Sequence, residues 1–399
     1  MNNKLALLQP YPFEKLHALK SAVDAPANVS PIFLSIGEPK HPAPQFVCDE
    51  LITNIHTLAN YPLTRGGDAL RQSIAQWLTR RFSLPEDSID ANQHILPVNG
   101  TREAIFAFTQ CAVDADNHPA VLMPNPFYQI YEGAAFLAGA EPVYLNTTAE
   151  KNFLPDFSSV DAATWQRCQL LFLCSPGNPT GAVLKQNDLQ QLIELSDKYD
   201  FIIASDECYS EIYPDENNPP TGLLEVAALM GRSDYKNCVV FHSLSKRSNL
   251  PGLRSGFIAG DARIIQKFLL YRTYHGCAMP LANQAASIKA WNDESHVLEN
   301  RNLYRQKFDI FVKTLQSITD IKPAEASFYL WFKTPEDDES FAQKLFAQTN
   351  ITVLPGSYLS RTVNGVNPGK GYVRMALVAS IEECTEAANR LYAFLKKNY

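Results

Sequence analysis

Short apolar runs alternate with amphipathic segments through the middle of the chain, and no other feature restricts its fold as much. The runs lie at 95–98, 120–123, 170–174, 201–205, 239–242 and 256–259 and are β-branched or aromatic in character. Between them, apolar residues recur at helical spacing at 102–113, 128–137, 186–199 and 263–274. Apolar strands separated by helices predict a mostly parallel sheet covered on both faces. After about residue 290 the pattern changes to a long helical stretch (297–316), strand-like segments at 328–333 and 371–378 with a helix between them, and a final helix from Ile381. That order predicts a smaller α+β domain completed by the N-terminal segment. The expected division is 1–44 as an arm and part of the small domain, 45–290 as the large domain and 291–399 as the small one. Pro and Gly cluster at 30–44, 214–222 and 355–371, which read as loops, and the first 30 residues read as an arm.

With 399 residues, 46% of them hydrophobic, the chain can bury one large core and one smaller one. Charged residues make up 19% and the formal net charge is -7, so nothing electrostatic attracts nucleic acid or an anionic membrane. No run approaches the ~18 consecutive apolar residues that span a bilayer. A single Lys4 and no long apolar stretch at the start predict no secretory signal, hence a cytoplasmic protein. Cys48, Cys111, Cys168, Cys174, Cys208, Cys238, Cys277 and Cys384 form no C-x-x-C pair, and most sit in apolar runs. Free, mostly buried thiols are expected, with neither disulfides nor a metal site.

The chemistry-bearing residues stand where the apolar runs end. Lys246 follows the run 239–242, with Ser243 and Ser245 before it and Arg254 eight residues after it. Strand ends of parallel sheets converge on a crevice, and paired hydroxyls with a fixed guanidinium suit a phosphate dianion. The lysine is then free for another task, because an amine held near other cations has a depressed pKa and attacks aldehydes. By itself the S-x-S-K string also describes an ordinary loop lysine at a helix start.

Asn178, in the turn 175–181, stands at a second strand end, and its bond to Pro179 is a candidate cis peptide. Asp206 ends a third strand and Tyr209 follows it. That carboxylate either caps a following helix or keeps a pyridine nitrogen protonated. Gly100, Thr101 and Arg102 open a helix whose N-terminus is either an ordinary start or a phosphate site. Tyr128, at another strand–helix turn, either packs or stacks on a flat ring. Arg374 lies within an apolar strand of the small domain. A buried guanidinium is costly without an anion, so it needs a structural Asp or Glu, or a substrate carboxylate.

In this order and spacing, Gly100, Thr101, Tyr128, Asn178, Asp206, Tyr209, Lys246, Arg254 and Arg374 resemble the fold-type I, class I/II aminotransferases of the aspartate aminotransferase superfamily. The resemblance runs from Leu34 to the last helix. It implies an α/β fold, with a mostly parallel seven-stranded sheet flanked by helices in the large domain and a smaller α+β domain. It also implies pyridoxal 5′-phosphate as cofactor, held as a Schiff base by Lys246, which then moves the proton at the substrate α-carbon. Asp206 would pair with the ring nitrogen, Tyr209 and Asn178 would bond the phenolate oxygen, and Tyr128 would stack on the ring. Gly100, Thr101, the adjacent Arg102, Ser243, Ser245 and Arg254 would hold the phosphate. Arg374, Asn178 and the Gly37 backbone would bind the substrate α-carboxylate. Tyr61 matches a tyrosine that reaches the phosphate of a neighbouring subunit, which implies a homodimer with shared sites.

Within the family, the segments 36–42, 99–104, 242–257 and 368–378 look most like bacterial N-succinyldiaminopimelate aminotransferases of lysine and peptidoglycan-precursor synthesis. That likeness implies N-succinyl-L,L-2,6-diaminopimelate as amino donor and 2-oxoglutarate and glutamate as the other pair. A long, polyanionic donor needs cations at the mouth of the site, and Lys40, Arg102, Arg361 and Lys370 are the candidates. Rival readings on the same scaffold are an aspartate, alanine or aromatic aminotransferase, or a C–S lyase. A DNA-binding regulator would need a basic appended segment, and a nucleotide-dependent dehydrogenase would need G-x-G-x-x-G; neither is present.

Overall fold

The computed structural model describes Met1–Tyr399. A short strand, β1 (Ile32–Phe33), precedes β2 (Ile95–Val98), β3 (Ala120–Asn125), β4 (Glu141–Asn146), β5 (Cys168–Cys174), β6 (Ile202–Asp206), β7 (Cys238–Ser243) and β8 (Gly256–Gly260). The last seven form one sheet in the order β2-β8-β7-β6-β5-β3-β4. All neighbours are parallel except at β8, which runs antiparallel to both β7 and β2. Each apolar run is a strand of this sheet. β4 has no counterpart among the runs: it is an edge strand whose Glu141 is exposed and whose other residues are mostly half-buried, so it lacks the apolar signature.

The runs are continuously apolar because both faces of the sheet are covered. Along β5, Leu170 and Phe172 pack with Met123, Ala204 and Phe241, while Leu171 and Leu173 pack on the other side with Leu122, Ile203 and Val240. Successive side chains point to opposite faces, and each face needs apolar residues. The helix Thr101–Ala112 covers the first face with Ile105 and Phe108, and the helix Gln186–Tyr199 covers the second with Leu189 and Leu192.

The C-terminal region adds β9 (Tyr329–Lys333), β10 (Ile351–Thr352), β11 (Leu354–Pro355) and β12 (Tyr372–Ala376). β12 lies antiparallel between β9 and β11, and β1 pairs in parallel with β10. Ile32 and Leu34 are buried with Phe311, Leu330, Met375 and Leu391, so the N-terminal strand shares a core with elements more than 270 residues downstream. The first 30 residues are not a plain arm. Pro12–Ser21 is a helix, with Pro12 at the first turn, where its missing N–H is not needed. All eight cysteines are free, but only Cys168, Cys208, Cys238 and Cys384 are fully buried, fewer than expected. No helix is long and apolar enough to cross a membrane.

This topology brings one end of β2, β3, β5, β6 and β7, and the start of β8, to the same sheet edge. There a close approach requires glycine. A Cβ on Gly256 would lie 2.5 Å from the backbone oxygen of His242, so only glycine lets β8 run this close to β7 where Ser243 leads into Lys246. Gly256→Ala is expected to cost about 1–3 kcal/mol of stability through overpacking, read as a lower urea midpoint. An unchanged midpoint would mean that the β7–β8 edge relaxes freely.

Candidate active site

Lys246 enters the cleft from the first turn of a short helix, Leu244–Arg247, capped by the Ser243 hydroxyl, which accepts the Ser245 N–H at 3.1 Å. The Lys246 amine donates to the Gly37 carbonyl at 2.6 Å and stands 5.4 Å from the Phe328 ring centre. Burial lowers its pKa to about 8, and the Arg374 and Arg254 cations push the same way against Cys208 and Glu38. Neighbouring cations, expected from the sequence as the cause, are thus secondary to desolvation. The backbone of this turn is tied down from behind. Asn300 Nδ2 donates to the carbonyls of Lys246 and Arg247 at 3.2 and 3.3 Å, and its Oδ1 accepts from His41 Nδ1 at 2.7 Å. His41 Nε2 in turn accepts from the buried Lys307 amine at 2.6 Å. Burial and the Lys307 charge bring His41 down to about 4, so at neutral pH it is the neutral tautomer this chain of bonds requires.

Asp206 closes β6 and is buried. No helix begins directly after it, and the next one, Leu223–Leu229, is preceded by Gly222, so the helix-cap reading fails. Its carboxylate accepts the Tyr131 hydroxyl at 2.7 Å and the Cys208 N–H at 3.3 Å. Burial pushes its pKa up, and the bonds from Cys208 and Tyr131 oppose that. A buried carboxylate of this kind could hold a protonated ring nitrogen. The Tyr209 and Tyr329 hydroxyls meet at 3.0 Å. Asn178 accepts from Arg374 at 2.9 Å, and its bond to Pro179 is cis, as are Asn125–Pro126 and Ser175–Pro176.

Thr101, Arg102, Tyr128, Ser243, Ser245 and Arg254 line the cleft together with Lys246. Arg254 donates to the carbonyls of Pro251 and Asn99 and pairs with no carboxylate. Gly100 has φ +87°, and any side chain there would collide with the Arg254 guanidinium. Arg102 donates to the Tyr128 hydroxyl at 2.9 Å and the Tyr11 hydroxyl at 2.5 Å.

Arg374 is only 5% exposed, yet its hydrogen-bond partners are neutral: Asn178, and the Ser35 carbonyl at 2.7 Å. Its Nε has no partner, and its guanidinium lies 4.5 Å from the Tyr329 ring centre. A structural Asp or Glu, one of the two partners expected, is absent. Of the four mouth cations, Arg361 is taken by Glu132 in a two-pronged pair at 2.7 and 2.6 Å, and Lys40 pairs with Glu38 at 2.9 Å. Lys370 is exposed and outside the cleft. Of these four, only Arg102 lines the cleft without a carboxylate partner. Tyr61 is fully exposed and lies outside this chain's cleft.

Tyr11, Phe13, Tyr131 and Tyr329 also face or support the site, and no motif pointed to them. Tyr131 had a signal, since it follows Tyr128 by three residues and so lies on the same side of the helix start. Tyr11 and Phe13 had none: only the packing of the first helix brings them here.

The model of the aminotransferase class I and II family matches residues 30–391. The chain belongs to this family. Class I and II aminotransferases use pyridoxal phosphate, and the residues present fit it. Arg254 is a cation without a carboxylate partner beside two serine hydroxyls and the glycine of a helix start, and Asp206 is a buried carboxylate short of a cation. Among curated relatives, the LL-diaminopimelate aminotransferase of Nitratidesulfovibrio vulgaris (strain Miyazaki F) is 32% identical over 98% of this chain and 97% of its own. A crystal structure of an aminotransferase from Neisseria meningitidis superposes with TM-score 0.95 at 49% identity, covering 99% of this chain and 100% of the other. The aminotransferase AspB from Helicobacter pylori superposes with TM-score 0.90 at 36% identity, covering 98% and 100%.

In the cofactor-free aminotransferase the Lys246 amine is expected to be half neutral at about pH 8. Its rate of reaction with an aldehyde reagent should therefore rise through that pH. Arg374→Leu removes a cation that lowers the pKa and moves the midpoint up; Glu38→Gln removes an anion that raises it and moves the midpoint down. A midpoint near the ordinary lysine value would contradict the buried setting.

Proposed function

We propose that Lys246 is the catalytic amine of a ping-pong aminotransferase and that Arg374 takes the α-carboxylate of both amino and keto substrates. One observation carries this reading. Arg374 is a buried cation with an empty Nε and no protein anion, in the same cleft as an amine depressed to about 8. A substrate carboxylate completes what the protein leaves unpaired. When bound, pyridoxal phosphate supplies an electron sink for charge developing at the substrate α-carbon.

The chain's own residues then divide the work. Lys246 holds the cofactor and, once free, moves the proton at the α-carbon. Asp206, held by Tyr131 and Cys208, keeps the ring nitrogen protonated. Tyr209 and Asn178 bond the phenolate oxygen, and Asn178 also bonds Arg374, so carboxylate and cofactor share one amide. Tyr128 stacks on the ring. Gly100, Thr101, Ser243, Ser245 and Arg254 hold the phosphate, and the Gly37 backbone borders the carboxylate. Tyr61 reaches the site of a second copy in a homodimer. In support, Tyr61 is close in sequence to Ile52, Ile55, Leu58 and Leu63, which are 67%, 52%, 68% and 72% exposed, the kind of apolar exposure that another subunit would cover.

For the donor we propose N-succinyl-L,L-2,6-diaminopimelate, with 2-oxoglutarate as acceptor. The free distal end of an unacylated diaminopimelate carries an ammonium, but the mouth offers only Glu38, already neutralised by Lys40. An acylated end replaces that ammonium by an amide and adds a second carboxylate to the one both donors carry, and Arg102 stands at the mouth without a carboxylate partner, beside the apolar Phe13, Ile36 and Leu359. The name of the 32%-identical relative favours unacylated LL-diaminopimelate as the second reading.

A donor panel with 2-oxoglutarate tests both. Succinyldiaminopimelate is expected to react faster than LL-diaminopimelate, aspartate or aromatic amino acids, and faster turnover of any of these would replace the proposed donor. Lys246→Ala should abolish transfer while the phosphate cup still retains cofactor; normal turnover by that variant would end the assignment. Arg374→Ala should weaken binding of both substrates by about 2–5 kcal/mol, seen as raised KM for donor and acceptor alike.

A further inference from the structure

Lys307 is a buried ammonium without a carboxylate partner. It lies on the long helix Ser295–Leu315, is 0% exposed, and its hydrogen-bond partners are neutral: His41 Nε2 at 2.6 Å and, more weakly, the Val378 carbonyl at 3.5 Å. Burial lowers its pKa to about 8, against Cys384, Glu383 and Glu382 of the last helix, so it still carries its charge at neutral pH. Burying a charge among neutral groups costs stability, and an apolar side chain of similar length would avoid that cost. The charge is therefore informative.

The helix sets Lys307 in line with the turn that carries Lys246. His296, Asn300, Tyr304 and Lys307 follow one another at helical spacing and share one face. His296 Nε2 meets the Ser248 hydroxyl at 2.8 Å, Asn300 bonds the carbonyls of Lys246 and Arg247, and the Tyr304 ring centre lies 4.7 Å from that of His41. One face thus touches the lysine turn at one end. At the other it touches the segment 35–41, whose Gly37 carbonyl accepts the Lys246 amine.

The ammonium sets the direction of each bond between these ends. It has hydrogens and no lone pair, so His41 Nε2 accepts and the ring proton sits on Nδ1. Nδ1 then donates to Asn300 Oδ1, which also accepts from Asn249 at 2.9 Å. That orientation points the Asn300 N–H groups at the Lys246 and Arg247 carbonyls. In the reversed tautomer an Nε2–H would meet the ammonium, and the Nδ1 lone pair would face Asn300 Oδ1 at 2.7 Å. Turning the Asn300 amide over would relieve the second clash only by facing its oxygen to two carbonyls.

We infer that Lys307 is a positioning residue for Lys246: its ammonium fixes the His41 ring and, through Asn300, the backbone from which the reacting amine works. The inference rests on Lys246 being the catalytic amine, and goes beyond that reading by giving a second, remote lysine a part in the reaction. Lys246 serves both the cofactor and the substrate α-carbon from one anchored turn, so freedom in that turn lowers the share of time the amine is in reach.

The test compares two variants of the loaded enzyme with the wild type. His41→Phe keeps a ring against Tyr304 but removes both of its bonds and strands the ammonium. Its kcat is expected to fall about tenfold with donor KM within about threefold, and its urea midpoint to fall as well. Adding Lys307→Met removes the stranded charge. The double variant is expected to recover the midpoint but not kcat, which separates positioning from packing. In the wild type, nitrogen-15 NMR, with the His41 signal assigned by its loss in His41→Phe, should find that ring neutral at pH 7 with its proton on Nδ1. Recovery of kcat along with the midpoint, wild-type kcat in both variants, or an Nε2–H or cationic His41 at pH 7 overturns the inference. The role of Lys246 survives any of these while Lys246→Ala is inactive; normal turnover by Lys246→Ala removes the ground for both.

Discussion

A guanidinium carried into the interior by β12 must be satisfied, and the way Arg374 is satisfied organises the cleft. One nitrogen reaches Asn178 after β5, another reaches the carbonyl of Ser35, and the third finds nothing. The bond to Ser35 pins a strap whose Gly37 carbonyl then accepts the Lys246 amine. The same strap ends at His41, which is locked between Lys307 and Asn300, and Asn300 returns to the backbone of Lys246. Arginine, strap and lysine are therefore one network. Neutral acceptors only partly offset the cost of burying a full charge, so the network leaves Arg374 with no anionic partner.

The charge pattern of the cleft follows the same logic. Two cations without carboxylate partners, Arg254 and Arg374, border it, and Lys246 is depressed first by burial and then by both of them. Asp206 is the buried acid on the opposite account, pushed up by the same desolvation. A fold optimised only for stability would pair these groups with one another. Here they are held apart by separate strand ends, an arrangement that the proposed roles use for two anions and one ring nitrogen.

Much of this was legible in the sequence, for physical reasons that differ between elements. β5, β6 and β7 were readable because a strand buried on both faces must be apolar throughout, and Lys246, Asp206 and Asn178 were readable because they follow such runs. The edge strand β4 was not, since half of its environment is solvent. The helix Pro12–Ser21 was hidden because prolines before and within it suggest a loop, although Pro12 sits where a helix tolerates it. Tyr329 was read as one strand residue among several, because nothing local distinguishes a phenol that packs from one that faces a cleft.

The sequence by itself determined the order of elements and the residue types at strand ends, because periodicity and turn chemistry act over a few residues. It also required that Arg374, if buried, have a partner. Only the tertiary structure decided which partner was missing. Arg361 and Glu132, 229 residues apart, found each other and left the mouth, while Arg374 met only neutral groups and Arg102 only phenols. Burial and long-range pairing depend on how elements pack, and local spacing carries no record of that.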